Sequence, residues 1–180
     1  MYNYGARHIF MVIAIVILIM SPILLLPMPT FIASNMHGLQ GWVVYVPGKA
    51  YLLYGFGFLF LFGSAFILSI LDLSKVAKII SISILLISVA FFASAAQNYT
   101  LFANDSIAFR ESIWTDRQSY TWDELEIVKF DLSAGLPKYE FRFKDGKEIA
   151  LPENGYIRVF RSGIEGKLKE HRVEFVKRYY

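Results

Sequence analysis

Cysteine is absent from this 180-residue chain. That excludes disulfides, cysteine-ligated zinc and thiol catalysis. Charge is scarce as well: Lys, Arg, Asp and Glu make up 18% of the residues, against about 25% in soluble domains. The shortage is confined to one half. Residues 1–97 carry Arg7, Lys49, Asp72, Lys75 and Lys78 and no other charge, whereas residues 98–180 carry 14 Lys/Arg and 14 Asp/Glu. The net +3 therefore resides in the first half, and the second half is neutral. Phosphate neutralisation needs a basic excess, so no nucleic acid is expected as a partner. Catalytic signatures are missing too. No HExxH, Walker, GxSxG or EF-hand spacing occurs, and His8, His37 and His171 lie far apart in the chain. The sequence reads as non-enzymatic, with no cofactor and no metal.

What is present is apolar length. Three uncharged runs, 9–26, 51–71 and 79–96, each approach the roughly 20 residues that cross a bilayer as a helix. The first is longer than the 7–15-residue core of a signal peptide and lacks a small-residue cleavage site, so it reads as a retained span. Pro22 is expected to kink it, and Pro27 and Pro29 to end it. The spans are expected at about 9–30, 51–71 and 79–97, in a membrane region covering 1–97. Asp72, Lys75 and Lys78 form the turn of a helical hairpin. Gly55, Gly57, Gly63 and Ser64 in the second span, and Ser81, Ser83, Ser88 and Ser94 in the third, permit close helix approach and hydrogen bonding. Transport is disfavoured because no span contains a charge. Between the first two spans lies a turn-rich loop, 33–49, that holds Trp42-Val-Val-Tyr45-Val46. An apolar patch flanked by aromatics reads as an interfacial anchor, with contact to a ligand as the alternative.

Beyond residue 97 the hydrophobic period becomes two, the mark of half-buried strands. Ile107 and Phe109 alternate with Ala108 and Arg110, and the pattern extends to Ile113. Val128 and Phe130 alternate with Lys129 and Asp131, and Tyr139, Phe141 and Phe143 with Glu140 and Arg142. Asp145-Gly146 between two such runs predicts a two-residue hairpin turn. Thr121-Trp-Asp-Glu124 matches a capping box. Ile157, Phe160, Ile164 and Leu168 share one helical face, and Val173 and Phe175 read as a last short strand or a frayed extension. Asp123, Glu124 and Glu126 cluster in sequence, which fits a capped turn better than a metal site. Trp114, Tyr120 and Trp122 fall on one face if their segment is extended, for core packing or for ligand stacking.

The runs SYTWDELEIVKFDL (119–132), YEFRFKDGKEIALP (139–152) and GIEGKLKEHRVEFVKRYY (163–180) resemble the bacterial pleckstrin-homology-like domain. The resemblance covers residues 98–180. It implies a small antiparallel β barrel or sandwich with a C-terminal helix, behind three transmembrane helices. It carries over no catalytic residue, and the single lysine of loop 133–138 does not match phosphoinositide binding. Members of that group often follow membrane helices directly, which implies a multi-pass protein of the cell membrane with the domain in the cytoplasm. The charges do not support that side: Arg7, Lys75 and Lys78 face Lys49, Arg110 and Arg117, and without the marginal Arg117 they lean towards an external domain. The expected partners are the lipid bilayer and a protein partner or a second copy. The expected function is binding that partner at the membrane surface, with Trp42, Tyr45, Trp114 and Trp122 as candidate contacts. Self-protection against a membrane-active peptide is the alternative, and a transporter or channel component the most distant one.

Overall fold

The computed structural model describes residues 4–38, 41–132, 137–153 and 155–178. By contacts the chain divides into two compact units. One comprises Met1–Met36, Val46–Tyr99 and Arg110–Asp116, and the other His37–Tyr45, Thr100–Phe109 and Arg117–Tyr180. The cut differs from the one expected after residue 97, because 37–45 joins the second unit and 110–116 returns to the first.

The first unit is helical. Its elements are α1 (Tyr4–Leu25), α2 (Met28–His37), α3 (Gly48–Ile70) and α4 (Lys75–Ala96). Of these, α1 from Gly5, α3 and α4 are long and apolar enough to cross a membrane. The expected span 9–30 is in fact two helices. Pro22 lies inside α1, the chain turns at Leu26–Pro27, and Pro29 sits in the first turn of α2. A proline is tolerated there because the first helical N–H groups have no intrahelical partner. Ile9, Val12, Val16, Leu18, Ile19 and Ile23 of α1 are all exposed. A surface this apolar is stable against lipid and not against water.

Small and hydroxylated residues set the approach of α3 to α4. The Ser64 and Ser81 hydroxyls lie 2.8 Å apart, and Ser81 also donates to the Ser64 carbonyl at 2.9 Å. Ser88 donates to the Gly57 carbonyl at 2.7 Å. These serines are thus spent on helix–helix contact, and Ser83 bonds back to Ile79 at 3.0 Å. The connecting turn is shorter than expected. Ser74 caps α4 by accepting from Ala77 N–H at 3.1 Å, and Asp72 and Leu73 adopt left-handed backbone (φ 52° and 56°) to reverse the chain.

The second unit packs two four-stranded sheets and a helix. One sheet is antiparallel, in the order β1 (Val43–Tyr45), β2 (Tyr99–Phe102), β3 (Ser106–Arg110), β4 (Gln118–Thr121). The other is built from β5 (Leu125–Asp131), β6 (Lys138–Phe143), β7 (Glu148–Pro152) and β8 (Glu174–Arg178), in the order β7-β6-β5-β8. Helix α5 (Gly155–Glu170) precedes β8. The alternating residues supply the core: Ile107, Phe109, Val128, Phe130, Tyr139, Phe141 and Phe143 are buried, and α5 adds Ile157, Ile164 and Leu168. Trp122 is fully buried, and its indole N–H donates to the Ala103 carbonyl at 3.1 Å.

Three expectations change here. Among the described residues the two sheets do not close into a barrel. The second sheet is mixed rather than antiparallel, since β8, the last short strand that Val173 and Phe175 suggest, runs parallel to β5. The 42–46 patch is not an interfacial anchor: Val43–Tyr45 is a buried strand paired to β2, with Val43 opposite Phe102. Close approach explains the residue before it. A Cβ on Gly41 would stand 2.6 Å from the Phe102 carbonyl oxygen, which backbone cannot vacate.

The Asp145-Gly146 hairpin forms, with a loop longer than two residues. Gly146 N–H donates to the Phe143 carbonyl at 2.9 Å, and Gly146 itself is left-handed (φ 86°), as a type I turn followed by a bulge requires. Asp145 ties this loop to the other sheet by accepting from the Tyr120 hydroxyl at 2.7 Å, while the Tyr120 ring stacks on Phe143 at 4.1 Å. That hydrogen bond lowers the Asp145 carboxyl below its ordinary range and, with burial, pushes the Tyr120 phenol up to about 12. A phenol with a raised folded value contributes stability that is complete below its ordinary 10.0 and is lost as pH climbs from there towards 12. Asp145 has the opposite sign, and its contribution disappears on acidification below its ordinary 3.8. Thermal melts between neutral pH and pH 12 are expected to show an alkaline loss of stability that is smaller in Tyr120→Phe. An identical loss in both proteins would show that Tyr120 plays no part in it.

Candidate partner-binding groove

Three of the four aromatic candidates share the core of the sheet unit, and the fourth belongs to the helical unit. Trp122 and Tyr45 are core residues, 0% and 3% exposed. Trp42 is half-buried, packed 6.0 Å from Phe102 and 6.2 Å from Phe160 between ring centroids. Trp114, 91% exposed, lies in the helical unit. The expected face shared by Trp114, Tyr120 and Trp122 does not form, because β3 ends at Arg110 and a turn intervenes before β4. The three neighbouring carboxylates also go separate ways. Asp123 lies 2.7 Å from His171 Nδ1, Glu124 accepts from Thr121 N–H at 2.6 Å, and Glu126 pairs with Arg142 at 3.2 Å. The middle contact belongs to the expected capping box, both halves of which form.

A different feature of the sheet unit has the shape of a site. Leu168 and Lys169 of α5, with Val173, Phe175 and Lys177 at and before β8, line a groove of about 220 Å³ together with Glu165. Its making is local. Helix α5 ends without glycine: Arg172 takes the left-handed conformation (φ 53°), and Val173 N–H then bonds the Leu168 carbonyl at 2.9 Å. This turn folds β8 back beside the helix and puts Val173 and Phe175 against the core. The floor is therefore apolar and the rim charged.

The rim charges are unequal in their commitments. Glu165 is held at 2.9 Å by Arg161. Arg161 also lies over the Phe130 ring at 5.2 Å and reaches Glu153 at 3.6 Å. The Glu165 hydrogen bond, first among the causes, raises the guanidinium above its ordinary value. Beneath it Tyr139 is fully buried, its hydroxyl has no hydrogen-bond partner among the described residues, and burial pushes it up to about 12. So the acidic member of the rim is neutralised from below. Lys177 instead lies 5.5 Å over the Phe175 ring, and no ion pair among the described residues engages Lys169 or Lys177. The rim is basic in net effect.

β8 is also an outer strand of its sheet, so among the described residues one row of its backbone groups faces no strand. The other outer strand, β7, contains Pro152, which deprives that edge of a donor. The alternation of Val173 and Phe175 after the helix was the signal for this strand. Its parallel pairing and the groove beside it come from contacts distant in sequence. No protein-family model and no curated protein matches this chain. The class defined is therefore structural: a helical unit with three helices long and apolar enough to cross a membrane, and a two-sheet α+β unit.

Proposed function

We propose that this protein is a membrane-anchored, non-enzymatic adaptor whose sheet domain, of pleckstrin-homology-like type, binds an extended acidic segment of a partner protein. The segment adds to the open edge of β8 and lays apolar side chains into the groove beside α5. The observation that carries this reading is the groove itself, an apolar floor with a basic rim next to an unpaired strand edge. Strand addition draws affinity from main-chain hydrogen bonds and specificity from such pockets. Lys169 and Lys177 would meet the acidic side chains of the segment and speed its encounter. In this reading the three apolar helices span the cell membrane and the sheet domain lies on the cytoplasmic side. The self-protection alternative would need a surface such as the 42–46 patch to meet a membrane-active peptide, and Val43–Tyr45 is a buried strand. No observation favours transport, since Ser64, Ser81 and Ser88 bond helix to helix.

Charge reversal tests the proposal without touching the core. Lys169→Glu with Lys177→Glu is expected to reduce recovery of the partner from detergent-solubilised native membranes by about tenfold or more, since like charges across an interface cost over 1 kcal/mol. The thermal midpoint should stay at the wild-type value. Equal recovery of the same companion by both proteins, or recovery of nothing but a second copy of this chain, would refute it.

A further inference from the structure

Residues 110–116 form a turn that contacts the end of α4 and belongs to the helical unit. Arg110 organises it. Its guanidinium donates to the carbonyls of Ser112 (3.1 Å), Ile113 (2.8 Å) and Thr115 (2.9 Å), and to the Gln97 side-chain oxygen (2.6 Å). Gln97 is the C-cap of α4. Two further bonds brace the turn: Ser112 N–H donates to the Thr115 hydroxyl at 3.0 Å, and Trp114 N–H to the Ser112 hydroxyl at 3.3 Å. The turn is therefore tied to the C-cap of an apolar helix long enough to cross a membrane. What it presents is Trp114, 91% exposed.

A large aromatic held out by a braced turn is costly in water and gains nothing from the fold. At the level where a membrane helix ends the same side chain is favoured, because the indole ring is apolar and its N–H finds headgroup acceptors. The bonding of Arg110 agrees with this, although the turn also holds Glu111 and Asp116. All the groups that Arg110 bonds are neutral carbonyl or amide oxygens, and no carboxylate among the described residues pairs with it. Its charge is left to be met by lipid phosphates at the interface.

We propose that the 110–116 turn is a lipid-interface anchor, which seats Trp114 among the headgroups at the α4 C-terminus and fixes the height at which the chain leaves the bilayer. The inference rests on the reading of α4 as a membrane span, and it is independent of what the α5/β8 groove binds.

The test is tryptophan fluorescence of the full chain in vesicles of zwitterionic and anionic phospholipid, with wild type compared against Trp114→Phe. The difference spectrum isolates Trp114 from Trp42 and Trp122. It is expected to be blue-shifted, to lose most of its intensity with lipids brominated near the headgroup, and to resist aqueous iodide. In Arg110→Gln the same difference signal should become more sensitive to iodide. A water-like spectrum quenched by iodide would overturn the anchor. So would a blue-shifted spectrum that neither quencher reaches, which would mean cover by protein. Failure of the chain to enter the vesicles at all would instead refute the membrane span on which the anchor rests.

Discussion

Trp122→Ala is expected to unfold the sheet domain or leave it barely stable. The side chain is fully buried and lies 6.1 Å from Phe102 and 6.5 Å from His171 between ring centroids. Truncating a buried tryptophan to alanine costs about 3–5 kcal/mol through lost burial and an unfilled cavity. The change also removes the donor to the Ala103 carbonyl, and an unpaired buried acceptor adds about 1–3 kcal/mol. Against a typical total of about 5–15 kcal/mol for a domain, this sum consumes most or all of the stability. Trp122→Phe keeps most of the packing and loses the hydrogen bond, so its cost should be confined to the smaller of the two contributions. Limited proteolysis in detergent reads the result: rapid cleavage within 117–178 for the alanine variant and slower cleavage for the phenylalanine one. Resistance equal to wild type in Trp122→Ala would mean that this residue is not at the centre of the core.

The second large effect is expected in the helical unit. Gly57→Leu should force α3 away from α4. A Cβ at Gly57 already stands 2.8–3.0 Å from three atoms of the Phe92 ring. That ring is itself confined, edge-on to Phe58 at 5.1 Å and tilted to Tyr54 at 5.9 Å. Overpacking of this kind costs about 1–3 kcal/mol. Separating the helices also lengthens the Ser88 bond to the Gly57 carbonyl and strains the Ser64–Ser81 pair, each such intramembrane bond being worth about 0.6 kcal/mol on average. Gly63→Leu is the control, because nothing lies within 4 Å of a Cβ there. Unfolding titrations in mixed detergent micelles should show a clear loss for Gly57→Leu and little change for Gly63→Leu. Equal behaviour of the two would contradict the close α3–α4 approach.

Much of this architecture is legible in the residues. The three apolar runs locate α1, α3 and α4 within a few positions, because length and absence of charge are local properties. The same holds for the Asp145-Gly146 hairpin and for the apolar face of α5, where Ile157, Ile164 and Leu168 are buried as their spacing predicts. The failures have a common cause in pairing between distant segments. Val43–Tyr45 pairs with residues more than fifty positions later, and a short apolar patch flanked by aromatics looks the same whether it meets lipid or a sheet. The alternation from Ile107 through Ile113 reads as one strand, yet side-chain chemistry ends it early, because Arg110 captures the carbonyls of Ser112, Ile113 and Thr115. The end of α5 was obscured for a similar reason. Arg172 occupies the left-handed position where glycine is the usual signal. The groove beside β8 therefore could not be read from periodicity, although Leu168, Val173 and Phe175, which form its floor, were each seen as apolar positions.

The central claim is that the α5/β8 groove receives a partner protein. Site-specific photo-crosslinking in native membranes tests it most directly, with the reactive group placed at Phe175 of β8 or at Ala150 on the opposite outer strand β7. One discrete crosslinked protein is expected from position 175 that is absent from position 150. Crosslinks to lipid or to a second copy of this chain from position 175, or the same product from both positions, would contradict it.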